Sequence, residues 1–207
     1  MPELLISHHP VVHDKLAQLR AQDTPPAVFR KLVHELSFLL GVEATQDLGT
    51  AEVQVQTPLQ TCSAEVLEES IAIVPILRAG LGMSVGLSGL LPDAPVRHLG
   101  MYRDEETLQP VAYYSKRPAG QCEDLVLLVD PMLATGGSAL LAIEQIKLWQ
   151  PKRIKFLAIV GSPEGVAAIH GAHPDVAIHI CVLDEKLSSK GYILPGLGDA
   201  GDRIFNT

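Results

Sequence analysis

Short apolar runs that alternate with helical segments along most of the chain constrain the fold more than any other sequence feature. The predicted buried strands are residues 70–75, 96–101, 125–130, 154–160 and 176–183. Between the third and fourth strands, apolar residues from Ala139 to Trp149 recur on one face of a helix. This order predicts an α/β fold, with a mostly parallel central sheet flanked by helices on both faces.

An N-terminal helical segment is predicted before these strands. Val12, Leu16 and Leu19 have the spacing of one helix face. A second series with the same spacing comprises Val28, Leu32, Leu36 and Leu39.

Ligands of a parallel sheet bind beyond the carboxyl ends of its strands, so we expect the functional residues in the loops that follow the strands.

Length and charge limit the organisation and the partners of the chain. Its 207 residues, 47% of them hydrophobic, suffice for one sizeable core, so we expect a single domain over residues 1–207. A net charge of -8 opposes non-specific binding to nucleic acid or to an anionic membrane. Cys62, Cys122 and Cys181 show no disulfide or zinc spacing, and no secretion signal or membrane-spanning run is visible. These features predict a cytoplasmic protein.

A loop that suits a phosphate group follows the strand 125–129. After Asp130 it comprises Pro131, Met132, Leu133, Ala134, Thr135, Gly136, Gly137 and Ser138, and it leads directly into a helix. The two glycines leave the backbone amides accessible, and the helix start adds a partial positive charge. A carboxylate such as Asp130 would repel phosphate, but it can accept both protons of a ribose diol. The alternative is a simple strand-to-helix turn with Ser138 near the N-cap.

Residues 130–138 resemble the 5-phosphoribosyl-1-diphosphate (PRPP) loop of type I phosphoribosyltransferases, in the form found in uracil phosphoribosyltransferases. Most purine and orotate members instead carry two successive acidic residues where this chain has Asp130 and Pro131. The resemblance covers nearly the whole chain. It implies a type I phosphoribosyltransferase-like fold with a flap hairpin and a C-terminal hood over the base. It also implies that residues 130–138 bind PRPP.

Two arginines are candidates for binding a diphosphate. Arg78 follows a buried strand and precedes glycines. Its planar guanidinium group can donate two hydrogen bonds to a diphosphate. The alternative is a salt bridge to a neighbouring acid. Arg103 opens a polar stretch that runs to Gly120 and resembles the mobile flap of the family; a solvated hairpin is the alternative. The resemblance implies that Arg78 and Arg103, together with Asp130, act in catalysis.

The glycine- and proline-rich C-terminal tail is the candidate base site. Its backbone groups can match the alternating carbonyl and N–H groups of a pyrimidine, while Tyr192 or Ile193 covers a ring face. A turn that only packs the C-terminus is the alternative. The tail resembles the uracil-binding signature of the family, which implies that Ile193, Gly198, Asp199 and Ala200 bind uracil. Asp199 would also lie next to PRPP, and its action as a general base is a hypothesis.

The resemblance implies the reaction of uracil and PRPP to uridine monophosphate (UMP) and diphosphate, in pyrimidine salvage. Magnesium is expected to bind mainly through PRPP and water, so no protein metal ligand is predicted. A homodimer or higher homo-oligomer, and GTP as a candidate allosteric activator, follow from the family alone. Two alternatives stay open. One is a phosphoribosyltransferase-fold regulator that binds pyrimidine-operon RNA, which the acidic composition disfavours, and the other is a transferase for a different base.

Overall fold

The predicted strands lie side by side in one mixed sheet in a computed structural model, which describes residues 3–103 and 110–207, and the side chains of 3–101 and 111–207. In chain order, its helices and strands are β1 (Leu4–Ile6), α1 (Pro10–Arg20), α2 (Pro26–Ala44), β2 (Thr50–Gln56), β3 (Thr61–Leu67), β4 (Ile71–Leu77), α3 (Gly80–Leu90), β5 (Leu99–Arg103), β6 (Pro110–Ser115), β7 (Leu125–Val129), β8 (Met132–Leu133), α4 (Gly137–Lys147), β9 (Arg153–Gly161), α5 (Pro163–Ala172), β10 (Ala177–Leu183), β11 (Lys186–Leu187), β12 (Ile193–Leu194) and α6 (Ala200–Phe205).

The main sheet has the strand order β1-β10-β9-β7-β4-β5-β6, with the short β8 beside β9. Its neighbouring strands are parallel, except that β5 and β6 are antiparallel. The carboxyl ends of the parallel strands therefore share one edge of the sheet. Polar residues that directly follow these strands include Arg78 after β4, Asp130 after β7, Ser162 after β9 and Asp184 after β10.

Alternate residues of the central strand β7 face two different apolar layers. Leu125, Leu127 and Val129 belong to the core formed with α1, α2 and α3, whereas Val126 and Leu128 belong to the core formed with α4 and α5. All five are fully buried, as is typical of a strand covered on both faces. The predicted α/β fold with a mostly parallel, helix-flanked sheet is thus confirmed. Among the described residues, no helix combines the length and the apolarity needed to cross a bilayer.

The sequence prediction was wrong in several details of the periphery. It omitted the edge strand β1 and the hairpin of β2 and β3, whose side chains are mostly exposed and give little apolar signal. Val28, assigned to the buried face of α2, is 43% exposed, because Phe29 and Val33 occupy that face instead. Val96 makes only an isolated bridge to Ile73 ahead of β5.

The predicted flap begins as an antiparallel hairpin of β5 and β6. Tyr102 pairs with Val111 and Arg103 with Pro110 in the backbone register. The Arg103 side chain and the whole of residues 104–109 lie outside the described part of the chain. The hairpin is therefore present at the predicted place, while the role of its tip stays a prediction.

Candidate active site

Two adjoining cavities open at the edge of the sheet where the parallel strands end. The smaller, about 90 Å³, is formed by the loop after β7, and the larger, about 250 Å³, lies between that loop and the C-terminal tail. Asp130, Met132 and Ala134 line both cavities, so Asp130 stands at their junction. None of the described residues that line them is basic. An anion here would depend on backbone dipoles and on side chains that approach from outside the cavities.

The smaller cavity lies at the amino terminus of α4. Its lining comprises Asp130, Met132, Leu133, Ala134, Thr135, Gly136, Gly137, Ser138 and Ala139. The N-cap of α4 is Gly136, in the left-handed conformation with φ of 84°, and no described side chain caps this helix. The first N–H groups of α4 are therefore free to bind an anion. Ser138 is the second residue of α4, so its side chain does not cap the helix.

Helix α5 holds this loop from behind. The buried Ser162 Oγ donates to the Ala134 carbonyl at 2.6 Å and accepts the Gly165 N–H at 3.0 Å. The Ser162 N–H donates to the Leu133 carbonyl at 2.9 Å. Two successive carbonyl groups of the loop are thus bonded to α5 rather than turned toward an anion in the cavity. Ser162 was not among the predicted site residues, although a serine before Pro163 at a strand end is a recognisable helix-start signal.

Asp130 is half-buried, and its environment favours the protonated form. Burial raises the pKa of Asp130 to about 7; the Met132 N–H, 3.4 Å from Oδ1, opposes this rise, and the negative charge of Asp199 adds to it. A ligand that donates hydrogen bonds to the carboxylate, or a cation, would favour the ionised form. Ionisation of Asp130 is therefore unfavourable until a ligand or a cation binds beside it.

This raised pKa predicts a stability effect with a definite sign. Between the unfolded value near 3.8 and the folded value near 7, the folded state binds more protons, so stability falls as pH rises. We expect Asp130→Asn to remove this loss, so that its stability relative to wild type grows by about 2 to 3 kcal/mol from about pH 5 to about pH 8.5. Urea unfolding of both proteins at the two pH values measures the difference. A pH-independent difference would contradict the raised pKa.

The larger cavity is lined mainly by the C-terminal tail. Besides the three shared residues, its lining comprises Ala79, Gly191, Tyr192, Ile193, Gly198, Asp199, Ala200 and Gly201. Ile193 is only 4% exposed and Tyr192 is 55% exposed, so one belongs to the wall and the other to the rim. Asp199 is exposed and caps α6, where its Oδ1 accepts the Asp202 N–H at 2.9 Å.

Arg78 and Pro131, both predicted site residues, lie outside the lining of the two cavities. The Arg78 side chain is 60% exposed, 3.6 Å from Asp202 and above the ring of Phe205 at 5.8 Å. Pro131 is buried, and its carbonyl accepts the N–H groups of Ile159 and Val160. Pro131 thus anchors the loop to β9. Arg78 lies next to the larger cavity, because the following residue, Ala79, is part of its wall.

In the described ranges, no group of three histidine, cysteine or acidic side chains is arranged to hold a metal ion. Asp130 and Asp199 nevertheless line the same cavity, where the charge of Asp199 helps to raise the pKa of Asp130. A divalent cation between such acids would relieve their mutual repulsion. The residues therefore fit a cation held jointly with a ligand.

Comparison with known proteins shows the family to which the chain belongs. The sequence profile of the family described as uracil phosphoribosyltransferase matches residues 6–207. A uracil phosphoribosyltransferase from Roseiflexus castenholzii is 54% identical over 207 residues, with all of both chains covered. Among solved structures, the AQ2163 protein from Aquifex aeolicus superposes with a TM-score of 0.92 at 39% identity, covering 98% of this chain and 97% of that one.

A more distant structure is similar in fold alone. A hypoxanthine-guanine phosphoribosyltransferase from Bacillus anthracis superposes with a TM-score of 0.53 at 12% identity, covering 77% of this chain and 80% of that one. The profile match and the full-length relative are more specific than this likeness. The chain belongs to the uracil phosphoribosyltransferase family, on the fold of the type I phosphoribosyltransferases.

Proposed function

We propose that this chain transfers the phosphoribosyl group of PRPP to uracil, giving UMP and diphosphate. The observation that carries the proposal is the pair of cavities that meet at Asp130, one at a helix start and one walled by the C-terminal tail. To bind a ribose 5-phosphate, a site needs a group that binds the phosphate and an acceptor for the 2′ and 3′ hydroxyls, separated by about the width of one ribose ring. The single domain over residues 1–207 is part of the proposal, supported by two apolar layers that share one sheet.

The donor is proposed to bind along the loop from Asp130 to Ser138. The α4 amides and the Thr135 and Ser138 hydroxyls would bind the 5-phosphate, since all of them lie at the smaller cavity. Asp130 would accept both ribose hydroxyl protons. Ionised Asp130 pairs with two donors that replace its lost hydration, which offsets the cost of its burial.

The diphosphate is proposed to meet Arg78 and Arg103. Among the described residues, Arg78 contacts the exposed Asp202 and the face of Phe205, and it can exchange these weak contacts for a diphosphate. Arg103 would approach as the hairpin of β5 and β6 closes, which would also exclude water that competes with uracil. Both arginines are proposed to stabilise the negative charge that grows on the leaving group.

The base is proposed to bind in the larger cavity. Ile193, Gly198, Asp199 and Ala200 would present backbone groups to the uracil edge, while Tyr192 at the rim covers a ring face. This arrangement holds the ring nitrogen against the anomeric carbon, which is the main requirement for the displacement of diphosphate. Whether Asp199 takes the ring proton stays a hypothesis, because its carboxylate also caps α6.

Magnesium is proposed as the cofactor, held mainly by PRPP and water with Asp130 and Asp199 facing it. When bound, it would neutralise part of the diphosphate charge. GTP as an allosteric activator and a cytoplasmic location are further proposals. The first rests on the family resemblance alone. The second rests on the composition and on three cysteines that are unpaired in the structure.

A homo-oligomer is also proposed. The hairpin of β2 and β3 forms its own two-stranded sheet with mostly exposed side chains, and Leu59 at its turn is 94% exposed. A groove of about 430 Å³ on α1, α2 and α3 exposes Val11, Phe38 and Val85. An isolated hairpin and an apolar groove are stabilised when a second copy covers them. Light scattering of the purified chain measures the assembly, and a monomer at micromolar concentration would contradict it.

The decisive experiment is UMP formation from uracil and PRPP with magnesium. We expect turnover with uracil and at least about a hundredfold lower kcat/KM with cytosine, hypoxanthine or orotate, whose edges differ in donors and acceptors. Reactions with and without GTP test the proposed activation, and reactions after chelation of magnesium test the proposed cofactor. Turnover with another base, or binding of pyrimidine-operon leader RNA without turnover, would contradict the proposed function.

A further inference from the structure

The last residue of α1 forms an ion pair with a residue at the end of β10. Arg20 donates to both carboxylate oxygens of Asp184, from Nη1 at 2.9 Å and from Nη2 at 2.5 Å. The Asp184 side chain is 4% exposed and the Arg20 side chain 22% exposed, so this pair is largely removed from solvent. A largely buried, bidentate ion pair of this kind has one fixed geometry.

This ion pair holds both backbone polar groups of one residue in the C-terminal tail. The Gly196 N–H donates to Asp184 Oδ2 at 2.8 Å, and the Gly196 carbonyl accepts from Arg20 Nη1 at 2.7 Å. Gly196 has a φ of 62°, and a Cβ there would lie 2.2 Å from the Ile193 carbonyl oxygen. The ion pair therefore fixes a tight turn that is closed directly on Ile193, a wall residue of the larger cavity.

A second arginine holds the next residue of the same turn. Arg203 Nη1 donates to the Leu197 carbonyl at 2.7 Å, and Nη2 donates to the Ala21 carbonyl at 2.5 Å. Its guanidinium also lies over the Phe29 ring, 4.3 Å from the centroid. Two successive carbonyls of the tail are thus bonded to arginines, and both arginines reach the junction of α1 and α2.

We propose that Arg20 and Asp184 are positioning residues that set base recognition by fixing the turn from Ile193 to Gly196. This inference rests on the proposed function, because it assigns uracil to the larger cavity. Neither residue lines either cavity, so neither touches the base. Their effect passes through Gly196 to Ile193. The loop of residues 130–138, proposed to bind the 5-phosphate and called the phosphate loop below, is held separately by Ser162. Loss of the pair should therefore weaken base binding and spare the phosphate site.

The test compares two ligands that share the phosphate site and differ in the base. Calorimetry measures the binding of UMP and of ribose 5-phosphate to wild type, Arg20→Met and Arg20→Lys. We expect Arg20→Met to weaken UMP by at least about tenfold, because Asp184 and the Gly196 carbonyl lose their partner, and ribose 5-phosphate to change by less than about twofold. Arg20→Lys keeps the charge but lacks the fork, so it should recover part of the UMP affinity.

Arg97→Met is the matched control. Arg97 forms a two-pronged pair with Glu123, with side chains 20% and 14% exposed, and Glu123 precedes β7 at the end opposite to Asp130. We expect this variant to bind both ligands as wild type does. If Arg20→Met unfolds, Arg20→Lys carries the test, with a UMP loss of roughly threefold or more at unchanged ribose 5-phosphate affinity.

The outcomes separate the inference from the proposed function. Equal weakening of both ligands in the folded Arg20 variants, or unchanged UMP binding in both, would overturn the positioning role while wild type still binds UMP and forms it from uracil. A wild-type chain that binds ribose 5-phosphate but neither binds nor forms UMP would overturn the proposed function, and this inference with it.

Discussion

Replacement of Asp130 by alanine should lower kcat/KM for PRPP by about a thousandfold, since two charged hydrogen bonds of about 2 kcal/mol each are lost. Asp130 is the residue at the junction of the two cavities, where a ribose would lie between phosphate and base. The KM for uracil at saturating PRPP should change far less, because the base wall is formed by the C-terminal tail. Steady-state kinetics with each substrate varied in turn measure both quantities.

The diol assignment has a sharper check in product binding. Wild type should bind UMP far more tightly than its 2′,3′-dideoxy analogue, and the Asp130→Ala variant should bind the two about equally. The four affinities form a double-mutant cycle between the Asp130 carboxylate and the ribose hydroxyls. A loss of discrimination in the variant shows that these groups interact directly. If the variant still prefers UMP by the wild-type factor, Asp130 does not bind the diol. Equal losses for PRPP and uracil in the kinetics would lead to the same conclusion.

Gly165→Ala should lower kcat/KM for PRPP by about a hundredfold, although residue 165 touches no part of either cavity. A Cβ at this position would lie 2.4 Å from the Ala134 carbonyl and 2.8 Å from Leu133 Cγ, so the phosphate loop must move away from α5. A displacement approaching 1 Å in a substrate-positioning loop has an effect of this size. Binding of ribose 5-phosphate should weaken in parallel.

The same helix offers the control for this substitution. Gly171 also lies in α5, and a Cβ there would meet nothing within 4 Å. Gly171→Ala should leave the kinetics unchanged and raise the stability of the chain by about 0.5 to 1 kcal/mol, as alanine replaces glycine in a helix. Normal PRPP kinetics in Gly165→Ala would show that the loop tolerates the displacement. Equal defects in both variants would mean that any change in α5 impairs PRPP use, and not the local clash at residue 165.

Local sequence patterns predicted the central strands and the candidate loops well. The run from Leu125 to Val129 is uniformly apolar because both faces of β7 are covered, and Asp130 stands out as the first polar residue after it. Gly136 marked the start of α4, where it is the N-cap. The apolar run and the glycine are local features of a few neighbouring residues, so they can be recognised in the sequence without knowledge of the fold.

Contacts between distant parts of the chain were not predictable in this way. Arg20 and Asp184 are separated by 164 positions, and nothing near Arg20 distinguishes it from any arginine at a helix end. Ser162 and Gly165 became significant only when β9 brought the start of α5 behind the phosphate loop. The exposed hairpin of β2 and β3 was missed because strands without a buried face carry a weak apolar pattern.

By itself, the sequence determined the α/β class and marked the candidate phosphate loop and the candidate base tail, because apolar periodicity and glycine placement act over a few neighbouring residues. The tertiary structure alone decided that the two cavities meet at Asp130, that burial raises its pKa to about 7, and that the base tail is held by the N-terminal helices. Burial and charge proximity depend on which distant segments pack together. That packing follows from the whole parallel sheet and not from any single stretch of the chain.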